Sequence, residues 1–232
     1  MPDPGEVRPR GERAAARRAL AIPGSAPIIR VYGGPDARTN VGPSLRAAMQ
    51  AQTAPVVILA GVVGAEVYAL ARESEWQSLE AAGRLVIENG FITLAREAQL
   101  FSAADLAWVG YRADFNGHSA VIPQAASVGV PVLGRRGGLI GTTIDQHQLG
   151  LTVDPQDTAQ VAAAIDRLIA DQRGCRYDEA LARFAQSRSH AAYGEAWLQA
   201  LGAWSTSVGH WRQWNASTTL TRAAVIGTPP QP

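Results

Sequence analysis

The 232-residue sequence predicts an α/β fold: a single doubly wound parallel sheet of about six strands with helices on both faces, followed by C-terminal helices. From residue 26 onward, short apolar runs of strand length and β-branched character alternate with segments of helical spacing. Glycines recur in the loops that follow several of these runs. Strands that alternate with helices in this way form a parallel, Rossmann-like sheet.

Six apolar runs are predicted to be strands. In chain order they are PIIRVY (27–32), PVVILA (55–60), RLVIE (84–88), DLAWVG (105–110), VPVLG (130–134) and LGLTV (149–153). Helical spacing predicts helices between them over residues 41–51, 65–82, 96–103, 119–127 and 158–170. Two further helical stretches follow Asp171, and the last is made amphipathic by Trp197, Leu198, Leu201 and Trp204.

Composition divides the chain into three parts. Residues 1–11, rich in Pro, Gly and charge, are predicted to be a linker or arm. Residues 12–204 are long enough for one full Rossmann-like domain with its terminal helices, and residues 205–232 are predicted to be a flexible tail. A solvated first helix explains the N-terminal arginines better than an anion site does. These arginines are Arg8, Arg10, Arg13, Arg17 and Arg18.

The composition excludes several kinds of chemistry. All 21 basic residues are Arg, and the absence of Lys excludes Schiff-base catalysis and a lysine-containing P-loop. A single cysteine, Cys175, excludes an internal disulfide framework and a multi-cysteine zinc site. No His, Asp and Glu cluster has the spacing of metal ligands. The net charge of +1 gives no electrostatic indication of nucleic acid or an anionic membrane as partner.

The expected location is the cytoplasm. No apolar run approaches the roughly 18 residues of a membrane span, and the sequence lacks a signal-peptide core. A single cysteine also fits a reducing compartment.

Glycine occurs in the loops after four of the six predicted strands. These positions are Gly33 and Gly34, Gly61 and Gly64, Gly117, and Gly137 and Gly138. In an open α/β sheet, ligands bind beyond the carboxyl ends of the strands. Glycine lets the backbone approach a ligand closely, and the N–H groups at helix starts attract phosphate. Turns need glycine in any case, but several such loops on one edge favour a nucleotide or sugar-phosphate site.

Residues 100–157 carry a more specific pattern. Its pieces are Ala103-Ala104-Asp105 opening a strand, a turn and helix ending in Val128-Gly129-Val130-Pro131, a Gly137-Gly138 loop, Gly150 before a strand, and Pro155-Gln156-Asp157 before a helix. This order resembles the C-terminal domain of the group 1, or family 4, glycosyltransferases, which have the GT-B fold. Upstream, RRALAIPGSAPIIRVYGGPDARTNV resembles the family's entry to this domain, so the resemblance covers roughly residues 12–204.

The resemblance implies a donor site for a nucleotide-activated sugar in this domain and an acceptor site in a separate N-terminal domain. The chain is therefore expected to be half of a glycosyltransferase of the hexosyl-transfer type, inactive or weakly active when isolated. The nucleotide sugar is a substrate, and the fold implies neither a metal nor a cofactor. The implied donor-binding residues are Gly33, Gly34, Arg38, Asn116, Gly117, His118, Ser119, Gln124, Gly137 and Gly138. No catalytic residue is assigned.

Two charged pairs of the family are replaced in this sequence. The family has two glutamates separated by seven positions, the first facing the donor sugar and the second holding the ribose hydroxyls. This sequence has Asn116 and Gln124 there, and an amide can hydrogen-bond hydroxyls but cannot accept a proton. The family's Arg and Lys, which clamp the diphosphate, are matched by Gly34 and Thr39.

Other side chains offer partial substitutes. Arg38, one residue from the family's Lys position, is the nearest cation for a diphosphate. Arg135 and Arg136 follow the fifth strand near the same edge, and are equally well explained as surface arginines beside a turn. His118 is explained more simply as a structural or solvated residue of its turn. Thr142 stands near the place of a glutamate that often follows the family's Gly-Gly loop.

Three functions are compatible with these residues. The first is the donor half of a glycosyltransferase with an unknown acceptor. The second is a catalytically inactive pseudo-glycosyltransferase domain that binds a ligand or a partner, which the loss of both charged pairs favours. The third is another phosphate-binding Rossmann-like domain, because sheet alternation alone does not choose a function.

Overall fold

A computed structural model describes residues 10–173 and 175–202. In this part of the chain, six parallel strands form one sheet: β1 (Ile28–Tyr32), β2 (Val56–Gly61), β3 (Leu85–Asn89), β4 (Leu106–Val109), β5 (Val132–Arg135) and β6 (Gly150–Val153). Their order across the sheet is β3-β2-β1-β4-β5-β6. All six predicted strands and the parallel α/β fold are confirmed, with strand boundaries shifted by at most two residues.

Helices join the strands and follow the sheet. They are α1 (Arg13–Ala19), α2 (Val41–Gln50), α3 (Ala65–Tyr68), α4 (Ser74–Ala81), α5 (Leu94–Ala103), α6 (Val121–Ser127), α7 (Gly138–His147), α8 (Thr158–Arg173) and α9 (Asp178–Ser187). A further helix, α10, covers residues 190–202 and belongs to a second compact unit of the chain. Its Tyr193 and Trp197 rings lie 6.3 Å apart, edge to face. Trp204 and the predicted tail lie outside the described residues, as do residues 1–9.

The single helix predicted over residues 65–82 is wrong. The chain forms α3, a 3-10 turn at Ala69–Arg72 and then α4, separated by Glu73 in an extended conformation. Val67 is the one buried residue of α3, and the 3-10 turn buries none. Because this stretch has no continuous apolar face, tertiary packing does not stabilise it as a single helix.

Helix α7 was not predicted, because its sequence, GLIGTTIDQH, combines two glycines with two threonines of low helix propensity. It forms because Ile140 and Ile144 occupy one face and are both buried. Gly141 is needed on the same face, since a Cβ there would lie 2.8 Å from the carbonyl oxygen of Arg135. Tertiary packing therefore overrides local propensity in this helix.

The sheet is covered on both faces. Crossovers run outward from β1 in one direction and from β4 in the other. Because such crossovers are right-handed, the connecting helices of the two halves lie on opposite faces, while α8, which follows β6, returns to the face of α2. Helix α2 packs with α4 and α8, α1 with α5, and α6 with α9. The inner strands β1, β2, β4 and β5 are almost wholly buried, whereas the edge strands β3 and β6 are half-buried.

Arg30 is a charged residue at the centre of β1 and is fully buried. Its guanidinium has no hydrogen-bond partner among the described residues and stacks on Phe101, with Cζ 3.2 Å from the ring centroid, and on Tyr32, at 3.9 Å. The Tyr32 hydroxyl in turn donates to the Glu97 carboxylate. Burial lowers the pKa of Arg30 to about 9, against the opposing influence of Tyr32, Glu97 and Glu88.

The amino edge of the sheet, where β1 and β4 begin, contains one buried carboxylate. Asp105 accepts hydrogen bonds from the Ile28 nitrogen at 2.8 Å and from Nη2 of Arg17 at 2.6 Å. Arg13 also donates to it. Nη1 of Arg17 donates to the carbonyl oxygens of Gly24, at 2.8 Å, and Ala26. Asp105, part of the sequence motif that opens β4, is thus a structural residue.

This arrangement corrects the expectation of a solvated first helix. Arg17 is 2% exposed and ion-paired, because its side chain lies between the α1 backbone and the amino edge of the sheet. Arg10 donates to the Ala104 carbonyl oxygen at 2.8 Å, so it too is bound to the fold. The expectation is right for Arg18, whose side chain is 73% exposed, while Arg8 lies outside the described residues.

Candidate functional site at the carboxyl edge

The candidate site lies where β1 and β4 end side by side. The strand order reverses here, since β2 and β3 lie beyond β1 and β5 and β6 lie beyond β4. The loops after β1 and β4 therefore diverge and leave a crevice, which is where ligands bind in doubly wound folds. We call this side of the sheet the carboxyl edge, formed by residues 33–40, 62–64, 110–120, 135–138 and 154–157.

The loop after β1 begins with Gly33 and Gly34, at φ 94° and 86°. Side chains rarely adopt this conformation. A Cβ on Gly33 would lie 3.7 Å from Cγ2 of Val121, at the start of α6. A Cβ on Gly61, the last residue of β2, would lie 2.6 Å from the Gly34 nitrogen. The loop after β1 thus meets both the end of β2 and the start of α6, although turn geometry alone already requires these glycines.

Arg38 lies in a short 3-10 helix (Ala37–Thr39) capped by the Asp36 carboxylate, which accepts a hydrogen bond from the Arg38 nitrogen at 2.8 Å. The same carboxylate binds the guanidinium, with Nε and Nη2 at 2.7 and 2.6 Å from Oδ2. Burial acts to raise the pKa of Asp36, but hydrogen bonds from Arg38 outweigh it and lower the pKa. The Arg38 side chain is 61% exposed, so a ligand can reach it in competition with Asp36.

Thr39 and its neighbour Arg38 join the loop after β1 to strand β4 and to the loop that follows β4. Its hydroxyl donates to the Asp36 carbonyl oxygen at 2.8 Å, and its carbonyl oxygen accepts a hydrogen bond from Nε1 of Trp108 at 2.9 Å. The Arg112 nitrogen donates to the Arg38 carbonyl oxygen at 3.0 Å, which joins the same two loops. Thr39 is 6% exposed, so its side chain serves the fold and is not free for a ligand.

Ser119 is also occupied by the fold. Helix α6 begins at Val121, two residues later than predicted, and the Ser119 hydroxyl accepts a hydrogen bond from the Val121 nitrogen at 3.3 Å. The Tyr111 hydroxyl lies 3.0 Å from the same oxygen. With 7% of its surface exposed, Ser119 fixes the turn and has little capacity left for a ligand.

The remaining predicted residues of this loop are more open. Asn116 and His118 are exposed, and Gln124, in the second turn of α6, is half-buried. Gly117 allows the close approach of the Phe115 ring, since a Cβ there would lie 2.9 Å from Cζ. His118 borders a hollow of about 20 Å³ between α6, α7 and α9, which has room for a water molecule but not for a sugar.

The loop after β5 places Gly137 and Gly138 at the start of α7, at φ 74° and 62°. No side chain caps this helix start. A Cβ on Gly138 would lie 2.7 Å from Nη2 of Arg135, so the guanidinium covers the first turn. The first N–H groups of a helix have no intrahelical partner, and they can bind an anion.

A cavity of about 330 Å³ opens on the β5 and β6 side of the same edge. Its polar lining comes from Asn40, Tyr111, Arg135, Arg136, Asp154 and Gln156. None of the ten predicted donor-binding residues lines it. The sequence contained a signal for it, since an Arg pair after one strand and a Pro-x-Asp turn after the next must meet at one edge.

Metal-ligand clusters and membrane-spanning helices are both absent from the part of the chain that the structure describes. In residues 10–173 and 175–202, no group of three or more His, Cys, Asp or Glu side chains is arranged to hold a metal ion. Over the same ranges, no helix has the length and apolar character needed to cross a membrane.

Comparison with known families decides the family of the chain. A family model described as "Glycosyl transferases group 1" matches residues 43–171, more than half of the sequence. The chain belongs to the group 1 glycosyltransferases. No curated protein sequence matches it.

Solved structures share the fold. Sucrose-phosphate synthase from Thermosynechococcus elongatus is 22% identical with a TM-score of 0.70, over 88% of this chain and 52% of that protein. Anabaena HepE in complex with UDP is 17% identical with a TM-score of 0.68, over 82% of this chain and 52% of that protein. The chain thus spans about half the length of these two structures. It covers 95% of the C-terminal domain of a Francisella tularensis group 1 glycosyltransferase, LpcC, at 20% identity and a TM-score of 0.60 over 80% of this chain.

Membership of the group 1 glycosyltransferases sharpens the departures noted in the sequence. The positions that the sequence resemblance matches to the family's two glutamates carry amides, one exposed (Asn116) and one half-buried (Gln124). The positions that it matches to the two diphosphate cations carry Gly34, a glycine with positive φ, and the buried Thr39. Arg38, which is predicted to take the place of one cation, is paired with Asp36.

Proposed function

We propose that this chain is the donor-binding half of a glycosyltransferase that transfers a sugar from a nucleotide donor to an unknown acceptor. One observation carries the proposal: in a member of the group 1 glycosyltransferases, the glycine turn after β1 meets the start of α6 at the point where the strand order reverses. HepE, a relative in fold, has been solved with UDP and with UDP-glucose.

The proposed roles follow from exposure and chemistry. The backbone N–H of Gly34 and those at the start of α7 bind the phosphates, because backbone donors need no side-chain charge, whereas the Gly33 N–H already donates to the Ala60 carbonyl oxygen at 3.3 Å. Arg38 adds a cation when a phosphate displaces it from Asp36. Gln124 and Asn116 hydrogen-bond ribose and sugar hydroxyls through their amides.

The acceptor half is proposed to come from a separate N-terminal domain or subunit. Two of the fold relatives are about twice as long as the stretch that matches, which supports this division of labour. Because the acceptor half is proposed to lie in that separate domain or subunit, and neither Asn116 nor Gln124 can accept a proton in its place, the isolated chain is expected to be inactive or weakly active. A cytoplasmic location stays a prediction from composition.

The alternative is a catalytically inactive domain of the same family that binds a ligand or partner. It is favoured by one specific observation, the ion pair of Arg38 with Asp36 at 2.6 Å, which neutralises the substitute cation. In this alternative, the chain has lost catalysis, because amides replace the two glutamates at positions 116 and 124 and the loop after β1 offers no unpaired cation for a diphosphate.

Calorimetric titration of the full chain with UDP-, GDP- and ADP-sugars tests donor binding. We expect saturable heat with one of them and a loss of about tenfold or more in affinity on Arg38→Ala, the scale of a charge-assisted contact. Asp36→Asn should strengthen binding, because it keeps a capping oxygen while releasing Arg38. Gln124→Ala should cost about 1 kcal/mol, the scale of one neutral hydrogen bond.

Arg112→Ala is the matched control. Arg112 forms the same kind of local pair, with Asp114, on the neighbouring loop, and its removal should leave the donor affinity within twofold. Absence of heat with every nucleotide sugar would reject donor binding and leave the alternative.

A further inference from the structure

The cavity lined by Asn40, Arg135, Arg136 and Asp154 is a second concave site, apart from the proposed donor crevice. At about 330 Å³ it lies at the small end of the range for small-molecule sites, about 300–1,000 Å³. Loops after β4, β5 and β6 and the start of α2 form its walls. It therefore stands on rigid elements, as binding sites generally do.

The arginines of this cavity differ from the others at the carboxyl edge. Arg38 and Arg112 each form an ion pair with a carboxylate two residues away in the chain. Arg135 instead donates to the Arg112 carbonyl oxygen at 2.8 Å, and Arg136 to the Gln160 side-chain oxygen at 3.1 Å. Neither forms a salt bridge within residues 10–173 and 175–202. Two positive charges thus stand side by side with only neutral acceptors.

Asn40 supplies a third donor. Its side-chain nitrogen is buried and has no hydrogen-bond partner among the described residues. The residue adopts a left-handed conformation, at φ 52°. Asparagine tolerates this conformation better than most residues do, and glycine tolerates it better than asparagine. A buried donor without an acceptor costs free energy, so the Asn40 amide would gain by turning toward the acceptor oxygen of a ligand in the cavity that the residue lines.

One carboxylate faces the same cavity and opposes an anion. Asp154 is exposed, and its Oδ1 accepts a hydrogen bond from the Gln156 nitrogen at 2.9 Å, which stabilises the turn after β6. Gln160 ties this turn to the arginines, since its side-chain oxygen accepts from the Asp154 nitrogen at 2.8 Å as well as from Arg136. The cavity keeps a net charge of +1 and an excess of donors.

We propose that this cavity binds the phosphate group of a small phosphomonoester, independently of the nucleotide sugar. Phosphate offers the negatively charged acceptor oxygens that Arg135 and Arg136 lack, and an acceptor for the Asn40 amide. Tyr111 and Gln156 line the remaining space, where the organic part of the ester is accommodated. The ester is a second ligand, and its binding does not depend on whether the donor crevice is functional.

An NMR titration of the isotope-labelled full chain tests this at constant ionic strength, with glycerol 3-phosphate, inorganic phosphate and glycerol as probes. We expect saturable shifts of the Asn40 side-chain amide and the Arg136 Nε with glycerol 3-phosphate, weaker ones with inorganic phosphate and none with glycerol. Equal affinities for inorganic phosphate and glycerol 3-phosphate would contradict the proposal that the ligand is an ester. The absence of a saturable shift with both probes would contradict the proposal that the cavity binds phosphate.

Three substitutions sharpen the test, each conservative enough to keep the fold. Arg136→Gln should weaken binding by about three- to tenfold, because it removes one charged donor. Asn40→Gly keeps the left-handed backbone and should weaken binding by about threefold. Asp154→Asn keeps a capping oxygen and should strengthen binding by about twofold to threefold, since it removes the opposing charge.

Arg112→Gln is the control, because Arg112 is exposed at the same edge but paired with Asp114. It should change the affinity less than twofold. If Arg112→Gln weakens binding as much as Arg136→Gln, the anion is attracted to the edge in general and the proposed site is rejected. Loss of the ester's shifts in the presence of saturating nucleotide sugar would show one shared site and reject the second.

Discussion

The two edges of the sheet both collect arginines but use them differently. At the amino edge, Arg13 and Arg17 converge on one buried carboxylate, Asp105, and Arg17 is 2% exposed. At the carboxyl edge, arginines either pair with a carboxylate in their own loop or donate to neutral oxygens, and they stay accessible. The difference shows that burial and the distance of the partner along the chain, more than arginine content, distinguish structural charges from charges available to a ligand.

The largest expected effect is at the amino edge. Asp105→Asn should lower the free energy of unfolding by about 3–5 kcal/mol, because it leaves the buried Arg17 without its counter-charge. Urea unfolding followed by circular dichroism measures this. Asp114→Asn, which breaks the exposed pair with Arg112, is the matched control and should cost less than about 1 kcal/mol. Similar costs for the two variants would contradict the distinction between the edges.

The next effect tests whether the carboxyl edge depends on backbone packing. Gly61→Ala should cost about 2–4 kcal/mol, because its Cβ would lie 2.6 Å from the Gly34 nitrogen and its φ is 124°. Gly83→Ala, also at positive φ but with no atom within 4 Å of the added Cβ, is the control and should cost about 1 kcal/mol. Thermal unfolding compares them, and equal losses would show that the contact with Gly34 is unimportant.

A smaller effect concerns Arg30, which lies between the two edges and has aromatic rings in place of a carboxylate. A double-mutant cycle of Arg30→Met with Phe101→Leu should give a coupling energy of about 1–2 kcal/mol, the scale of a desolvated cation–π contact. Phe101→Leu should therefore destabilise the wild type more than the Arg30→Met background. Additive losses in urea unfolding would show that the stacking contributes nothing beyond apolar packing.

The smallest effect is the pH dependence of the exposed pair at the carboxyl edge. The pKa of Asp36 is lowered in the folded chain, so its contribution is present above the ordinary aspartate pKa and is lost as pH falls through the lower, folded value. Because Arg38 is 61% exposed, Asp36→Asn should cost less than about 1 kcal/mol at neutral pH. The difference between variant and wild type should vanish in acid, and a difference that persists there would contradict a charge effect.

The sequence was sufficient to predict the sheet. Its strands are continuous apolar runs, and this pattern arises because parallel strands are buried on both faces. Helix α7 was missed because Ile140 and Ile144 stabilise it through packing that local propensity does not reveal. The broken helix at Glu73 and the burial of Arg17 likewise depend on which side chains meet in three dimensions.

For the candidate site, the sequence could predict the loops but not the state of their side chains. Gly33, Gly34, Gly137 and Gly138 lie at the carboxyl edge as the topology requires. The pairing of Arg38 with Asp36 and the occupation of Ser119 by Tyr111 depend on local hydrogen-bond geometry, which residue spacing does not specify. Their assignment as donor-binding residues stays a prediction.

The contact between Arg17 and Asp105 also bears on how the chain folds. The two residues are 88 positions apart, and Asp105 reaches the Ile28 nitrogen as well once β1 and β4 are paired. Closing so long a loop costs conformational entropy, and this cost is offset only once the contact between Arg17 and Asp105 forms. We therefore expect α1 to dock after the central strands have assembled. Weakening this contact should then accelerate unfolding far more than it slows folding. Docking of α1 would therefore slow the unfolding of the assembled sheet.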